Sequence, residues 1–148
     1  MSRDNSEDAA GLAQFAVEVD GIALGRFSTC EGLQAEYTFE EVMEGGNNAF
    51  VYRLPGRIKY QNVKLSRPLS KETGKSAKWF TSFANGKAKR GTAKVTVFGA
   101  DLKPIGSWTL QSVFPARWTG PNFTAETNGV AKETLELAYH GFEWKAGS

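Results

Sequence analysis

Leu33-Gln34-Ala35-Glu36-Tyr37-Thr38-Phe39-Glu40 alternates apolar and polar residues without a break. Successive side chains of a strand point to opposite faces. The octet therefore sets Leu33, Ala35, Tyr37 and Phe39 on one face and Gln34, Glu36, Thr38 and Glu40 on the other. It predicts a strand with one dry face and one wet face. The same period of two spreads outward from it. Upstream, Phe15, Val17 and Val19 alternate with Ala16, Glu18 and Asp20, and Asp20-Gly21 is a turn pair before the return strand begins at Ile22 and Leu24. Downstream, Glu44-Gly45-Gly46-Asn47-Asn48 predicts a hairpin tip. Phe50, Tyr52 and Leu54 then resume the alternation until Pro55-Gly56. Ile58 and Tyr60 share one parity and Val63 and Leu65 the other, which calls for a bulge or turn near Gln61-Asn62.

One helix is predicted over Lys71 to Phe83, capped by Ser70 and closed by Asn85-Gly86, with Trp79 and Phe83 stacked four residues apart. Strands return over Ala93 to Phe98, Ile105 to Val113 and Phe114 to Trp118. A last strand sets Leu135, Leu137 and Tyr139 against Thr134, Glu136, Ala138 and His140. The sum is about eight strands and one helix. Hairpin connections imply antiparallel pairing, so the expected fold is mainly β: two packed antiparallel sheets, sandwich- or barrel-like, one flanking helix and a long hairpin. Residues 13–144 read as the domain, 1–12 as a flexible polar arm and 145–148 as a short polar tail.

Composition narrows the function. The chain has 148 residues, 18 basic and 16 acidic, a net charge of +2 and one cysteine, Cys30. Such a balance makes no broad electrostatic footprint for nucleic acid or membrane. No stretch approaches the roughly 20 apolar residues of a membrane helix, and no signal-like segment opens the chain. Folding in the bacterial cytoplasm is the expectation.

His140, the single histidine, has no orienting partner in the pattern, which argues against a general base. Cys30 reads as a buried or interface thiol. One histidine and one cysteine do not build a metal site, and Gly45-Gly46 lacks the ending of a phosphate loop. No catalytic, metal or cofactor residue is assigned. Glu40, Glu41 and Glu44 read as charges along an exposed edge. Lys87-Ala88-Lys89-Arg90 reads as cations near a helix C-terminus. What remains is a β-rich domain whose sheet edges must be covered, charged or paired.

Several motifs, in this order, resemble the phage tail-tube protein family, including tube subunits of extracellular contractile injection systems. They are Phe15-Ala16-Val17-Glu18-Val19-Asp20-Gly21, Gly25-Arg26-Phe27, Cys30-Glu31-Gly32-Leu33, Glu44-Gly45-Gly46-Asn47-Asn48 with Leu54-Pro55-Gly56, and Val63-Lys64-Leu65-Ser66-Arg67. Trp79-Phe80, Phe114-Pro115-Ala116-Arg117-Trp118 with Gly120-Pro121, and Glu133 to Phe142 follow. Pro68, and Tyr139-His140-Gly141-Phe142 in place of a usual His-Glu-Gly, depart from the pattern.

The resemblance implies six copies in a ring whose strands join into one continuous inner β-barrel. Stacked rings would form a tube with sheath, baseplate and cap proteins as partners, and with effector protein or DNA as luminal cargo. It implies that the tip Glu44, Gly45, Gly46, Asn47 and Asn48 contacts the adjacent ring or subunit. It also makes Gln34, Glu36, Thr38 and Glu40 candidates for the lumen and the Lys87 region a candidate for the sheath. Two alternatives stay open: a type VI-like secreted ring protein that carries effectors, and a small β-barrel enzyme or binding module relying on His140 or Trp118.

Overall fold

Alternation buries one parity of each body strand and leaves the other wet. The computed structural model describes residues 12–43, 51–84, 86, 88–121 and 131–147. Along these run β1 (Leu12–Val19), β2 (Ile22–Phe27), β3 (Thr29–Glu31), β4 (Ala35–Met43), β5 (Val51–Tyr60), β6 (Val63–Pro68), α1 (Thr73–Thr81), β7 (Gly91–Gly99), β8 (Pro104–Thr119), β9 (Lys132–Ala138) and β10 (Phe142–Ala146). Every pairing is antiparallel.

The body is one sheet of order β2-β1-β7-β8-β9-β6-β3, with β10 added to β8. It folds into two layers because β8 serves both. The first half of β8 pairs with β7 and β10, and the second half with β9. The bend falls at Ser112, whose φ is 52°. Polar groups freed there are taken up. Arg90 donates from Nε and Nη2 to the Ser112 carbonyl at 3.2 and 3.1 Å, and His140 N–H donates to the Gln111 carbonyl at 2.8 Å. A second corner lies at Ser28, where one residue separates β2 at one end of the order from β3 at the other. The two corners bring the sheet's ends together as a small barrel, the usual way strands change layers.

The inward parities meet in the core. Val17, Val19, Leu24, Phe27, Val63, Leu65, Val95, Leu110, Val113, Leu135, Leu137 and Tyr139 are buried, as the alternation of β1, β6 and β9 predicts. Gln61-Asn62 is the unpaired break between β5 and β6 that the parity change requires. Trp79 and Phe83 meet edge to face at 5.7 Å.

Three expectations shift. The helix starts at Thr73, not Lys71. Ser70 Oγ accepts the Glu72 N–H at 3.1 Å and Thr73 Oγ1 accepts the Ser70 N–H at 3.1 Å, so Ser70 stabilises the turn ahead of the helix. The strand count rises from about eight to ten among the described residues. β3 is only three residues long, and β10 reaches Lys145 and Ala146, read above as a tail, which pair with Ser107 and Gly106. Third, β4 has no dry face within one subunit. β4 and β5 form a separate two-stranded sheet, and Tyr37 and Phe39 are exposed along with the polar side.

Candidate functional site

A lone two-stranded hairpin is marginal in water, so β4–β5 is where the subunit is incomplete. Its register pairs Ala35 with Tyr60, Tyr37 with Ile58, Phe39 with Pro55, Glu41 with Arg53 and Met43 with Val51. Residues paired across a ladder share a face. One face is therefore Tyr37, Phe39, Met43, Val51, Pro55 and Ile58. It carries one charged couple, Glu41–Arg53 at 3.4 Å, with the guanidinium 5.2 Å from the Phe39 ring centroid. That exposed pair contributes little stability. Tyr37, Phe39 and Met43 are 63%, 53% and 67% exposed, an uncommon amount of apolar surface to leave wet.

The other face holds Glu36, Thr38 and Glu40, three of the four residues predicted to line a lumen, with Lys59 paired beside Glu36, Leu54 beside Glu40, and Val42 beside Tyr52 further out. Gln34 precedes the strand on the same parity, and its carbonyl accepts the Gln61 N–H at 3.0 Å. All four are exposed and lie together on one side. Thr38 also holds a bulge in β5. Its Oγ1 accepts the Arg57 N–H at 2.9 Å and donates to the Arg57 carbonyl at 3.3 Å. The predicted tip, Glu44 to Asn48, lies outside the described residues.

The hairpin root is fixed on both sides. Gly32, at φ 88°, turns the chain out of β3, and any Cβ there would run into the Asn62 carbonyl oxygen. Tyr60 packs on Tyr139 at 5.4 Å and Phe142 at 5.6 Å. Phe142 meets Trp108 at 5.3 Å, and Trp108 meets Trp144 at 4.9 Å. This aromatic run leads to an apolar groove of about 540 Å³ lined by Phe15, Cys30, Leu33, Ile105, Trp108 and Trp144.

Cys30 fits its predicted role as a half-buried thiol. It is pushed up to about 11 from its ordinary 9.0, first by burial and then by the Glu31 carboxylate. A group that holds its proton more tightly when folded contributes stability that is complete below the unfolded value and is lost as pH rises through the folded one. Burial pushes the Tyr139 phenol up from its ordinary 10.0 in the same sense. The denaturation midpoint should therefore fall between pH 9 and 11. In Cys30→Ala that fall should begin at higher pH, as paired urea melts would show.

The sequence reading missed a buried polar cluster. Arg67 shares the inward parity of Val63 and Leu65, and Glu133 shares that of Leu135 and Leu137. They are register partners, joined Nε to Oε2 at 2.6 Å, with side chains 3% and 0% exposed. Trp118 Nε1 donates to the other Glu133 oxygen at 2.7 Å. The guanidinium also donates to the Leu24 carbonyl at 2.8 Å, the Glu72 carbonyl at 2.9 Å and Ser76 Oγ at 2.6 Å, and lies 4.0 Å from the Phe27 ring centroid. One side chain thus ties α1, β2 and β9 together. Gly25, at φ 103°, makes the space: a Cβ would lie 2.7 Å from Arg67 Nη1. Gly25→Ala should cost about 2–4 kcal/mol in chemical denaturation, from backbone strain plus displacement of the guanidinium.

Two further expectations are placed. His140 is exposed, with Nε2 3.4 Å from Arg90 Nη2, and Arg90 lies 4.5 Å over the Phe114 ring. Arg90, the last residue of the basic run, therefore secures the β8 bend. Among the described residues, no group of three or more His, Cys, Asp or Glu is placed to hold a metal, and no helix is long and apolar enough to cross a membrane.

Solved structures share this architecture. A chain of the PVC sheath–tube complex of an extracellular contractile injection system, in its extended state, superposes with a TM-score of 0.78 at 20% identity, covering 98% of this chain and 99% of that one. A chain of the anti-feeding prophage baseplate gives 0.76 at 19% identity over 99% and 98%. Hcp1 from Flavobacterium johnsoniae gives 0.52 at 11% identity over 90% and 96%. At these identities the likeness concerns the fold. No curated protein matches the chain. The family model of the T4-like virus tail tube protein gp19 matches residues 13–143, nearly all of the barrel and hairpin just described, so the chain belongs to that tail tube family.

Proposed function

We propose that six copies close into a ring through the β4–β5 hairpin. Rings stack into the inner tube of a contractile, phage-tail-like injection machine. The observation that carries this is the hairpin itself, exposed on both faces within one subunit, apolar along the Tyr37–Phe39 face and, on the other, polar from Gln34 to Glu40 before turning apolar at Val42, Tyr52 and Leu54. Joining hairpins edge to edge removes their free edges. It turns the apolar face towards the subunit bodies and leaves Gln34, Glu36, Thr38 and Glu40 on the bore. Glu36 and Glu40 are balanced there by Lys59 and Arg57, so this part of the bore is hydrated and of mixed charge, with Val42, Tyr52 and Leu54 further along the same face.

The role is structural and not enzymatic, and the particle is assembled in the bacterial cytoplasm. Sheath, baseplate and cap proteins are the partners, as in the complexes whose chains share the fold. An effector protein or DNA is the luminal cargo. The tip, Glu44 to Asn48, is proposed to meet the adjacent ring, and the Lys87 region to face the sheath. Negative-stain microscopy of purified protein, alone and with baseplate components, tests the reading. Six-fold rings or tubes are expected, and a strictly monomeric species under both conditions would overturn it. Glu36→Lys with Glu40→Lys should leave rings intact while altering cargo retention in assembled particles.

A further inference from the structure

We propose that the apolar groove beside Cys30 is the seat for the apolar hairpin face of a second copy of this chain, so that each subunit in the ring holds the next. This rests on the ring reading and adds which two surfaces meet.

Both surfaces belong to one chain yet do not meet within it. The groove is open and lined by Phe15, Cys30, Leu33, Ile105, Trp108 and Trp144. The distal hairpin face, Tyr37, Phe39, Met43 and Val51, is exposed. The two are nevertheless one continuous apolar surface. Tyr60 shares the apolar face of the hairpin, and the ring contacts from Tyr60 through Phe142 and Trp108 to Trp144 lead into the groove. The root of the face thus already rests on its own body. The nine residues of β4 extend about 30 Å at the rise of an antiparallel strand. That is comparable to the width of a domain this size, about twice its roughly 15 Å radius of gyration. The distal half therefore passes beyond its own body, where the next body in a ring would lie.

The chemistry of the seat agrees. Its walls are aromatic and aliphatic, and the one charged couple on the incoming face, Glu41–Arg53, is neutralised by itself. The polar stretch Met1 to Ala10 has the wrong character to fill the groove. Trp144 stands on β10, which pairs only with β8 among the described residues, so the groove wall it forms is not covered by a further strand of the body. The contact is head to tail: hairpin to groove, repeated. Such a heterologous contact closes a ring when its rotation divides the circle.

The test uses two full-length proteins in a Cys30→Ser background, one with Phe39→Cys and the other with Ile105→Cys. Both positions are exposed, so the subunits should fold. The two are mixed, assembled and treated with a short bismaleimide. A covalent dimer containing one chain of each variant, identified by mass, is expected from the mixture, and Tyr37→Cys in place of Phe39→Cys should give the same result. Six-fold rings by microscopy with no dimer from either pairing would overturn the inference and leave the ring reading standing. Absence of rings from the unmodified chain would remove both.

Discussion

Arg67→Met should destabilise the subunit by about 3–5 kcal/mol, the usual cost of stranding one partner of a buried ion pair. Its urea midpoint should drop by about 2 M, given slopes typical of a chain this long. The loss has several parts. Glu133 would keep a buried carboxylate with only the Trp118 indole donating to it. The Leu24 carbonyl and Ser76 Oγ would lose this donor together, while the Glu72 carbonyl would fall back on the Lys75 N–H at 3.0 Å. Leaving a buried acceptor unmatched costs more than making the bond contributes. Glu133→Leu should be similarly damaging. The double variant should sit closer to wild type than the sum of the singles, because no unpaired charge remains. A midpoint shift below about 0.5 M in either single variant would show that the cluster is dispensable.

The second large effect falls on assembly and not on folding. Phe39→Asp combined with Ile58→Asp should leave the denaturation midpoint of the isolated subunit within about 0.5 kcal/mol of wild type, because both side chains already face water. It should raise the concentration needed for ring formation by roughly 10³-fold, treating each position as an interface anchor of about 2 kcal/mol. Sedimentation velocity and microscopy on the same samples separate the two outcomes. Rings forming at wild-type concentrations would mean that the apolar face of the hairpin is not an interface.

Much of the body was legible because its signal is local. Val17 and Val19, Val63 and Leu65, and Leu135 and Leu137 announce their inward faces by parity alone, and Trp79 and Phe83 announce theirs by a spacing of four. The corners were harder. Nothing in Phe27-Ser28-Thr29 marks a strand passing from one layer to the other, and Ser112 adopts a positive φ without a glycine to flag it. The hairpin was found but misjudged. Alternation normally means one dry face, yet β4 is exposed on both faces within one subunit, which no pattern within one chain reveals.

The Arg67–Glu133 pair had a readable sign that was passed over, namely a cation and an anion each on the apolar parity of its own strand. Gly25 became intelligible only once the guanidinium it accommodates was in place. The tail-tube motifs reached further than periodicity because their order reports on the whole barrel. They named Arg67, Trp118 and Glu133 within their segments without disclosing that the three touch.

The two corners at Ser28 and Ser112 carry a kinetic consequence. They bring the barrel's ends together, so a newly made subunit keeps most of its strands paired and offers other molecules chiefly one slender projection and the groove beside β10. In the proposed ring, that projection gains its support only when neighbours are already in place. The first ring should then form slowly and later ones quickly. Tube growth would show a lag that a preformed base abolishes, and the cell could hold a pool of subunits without premature polymerisation.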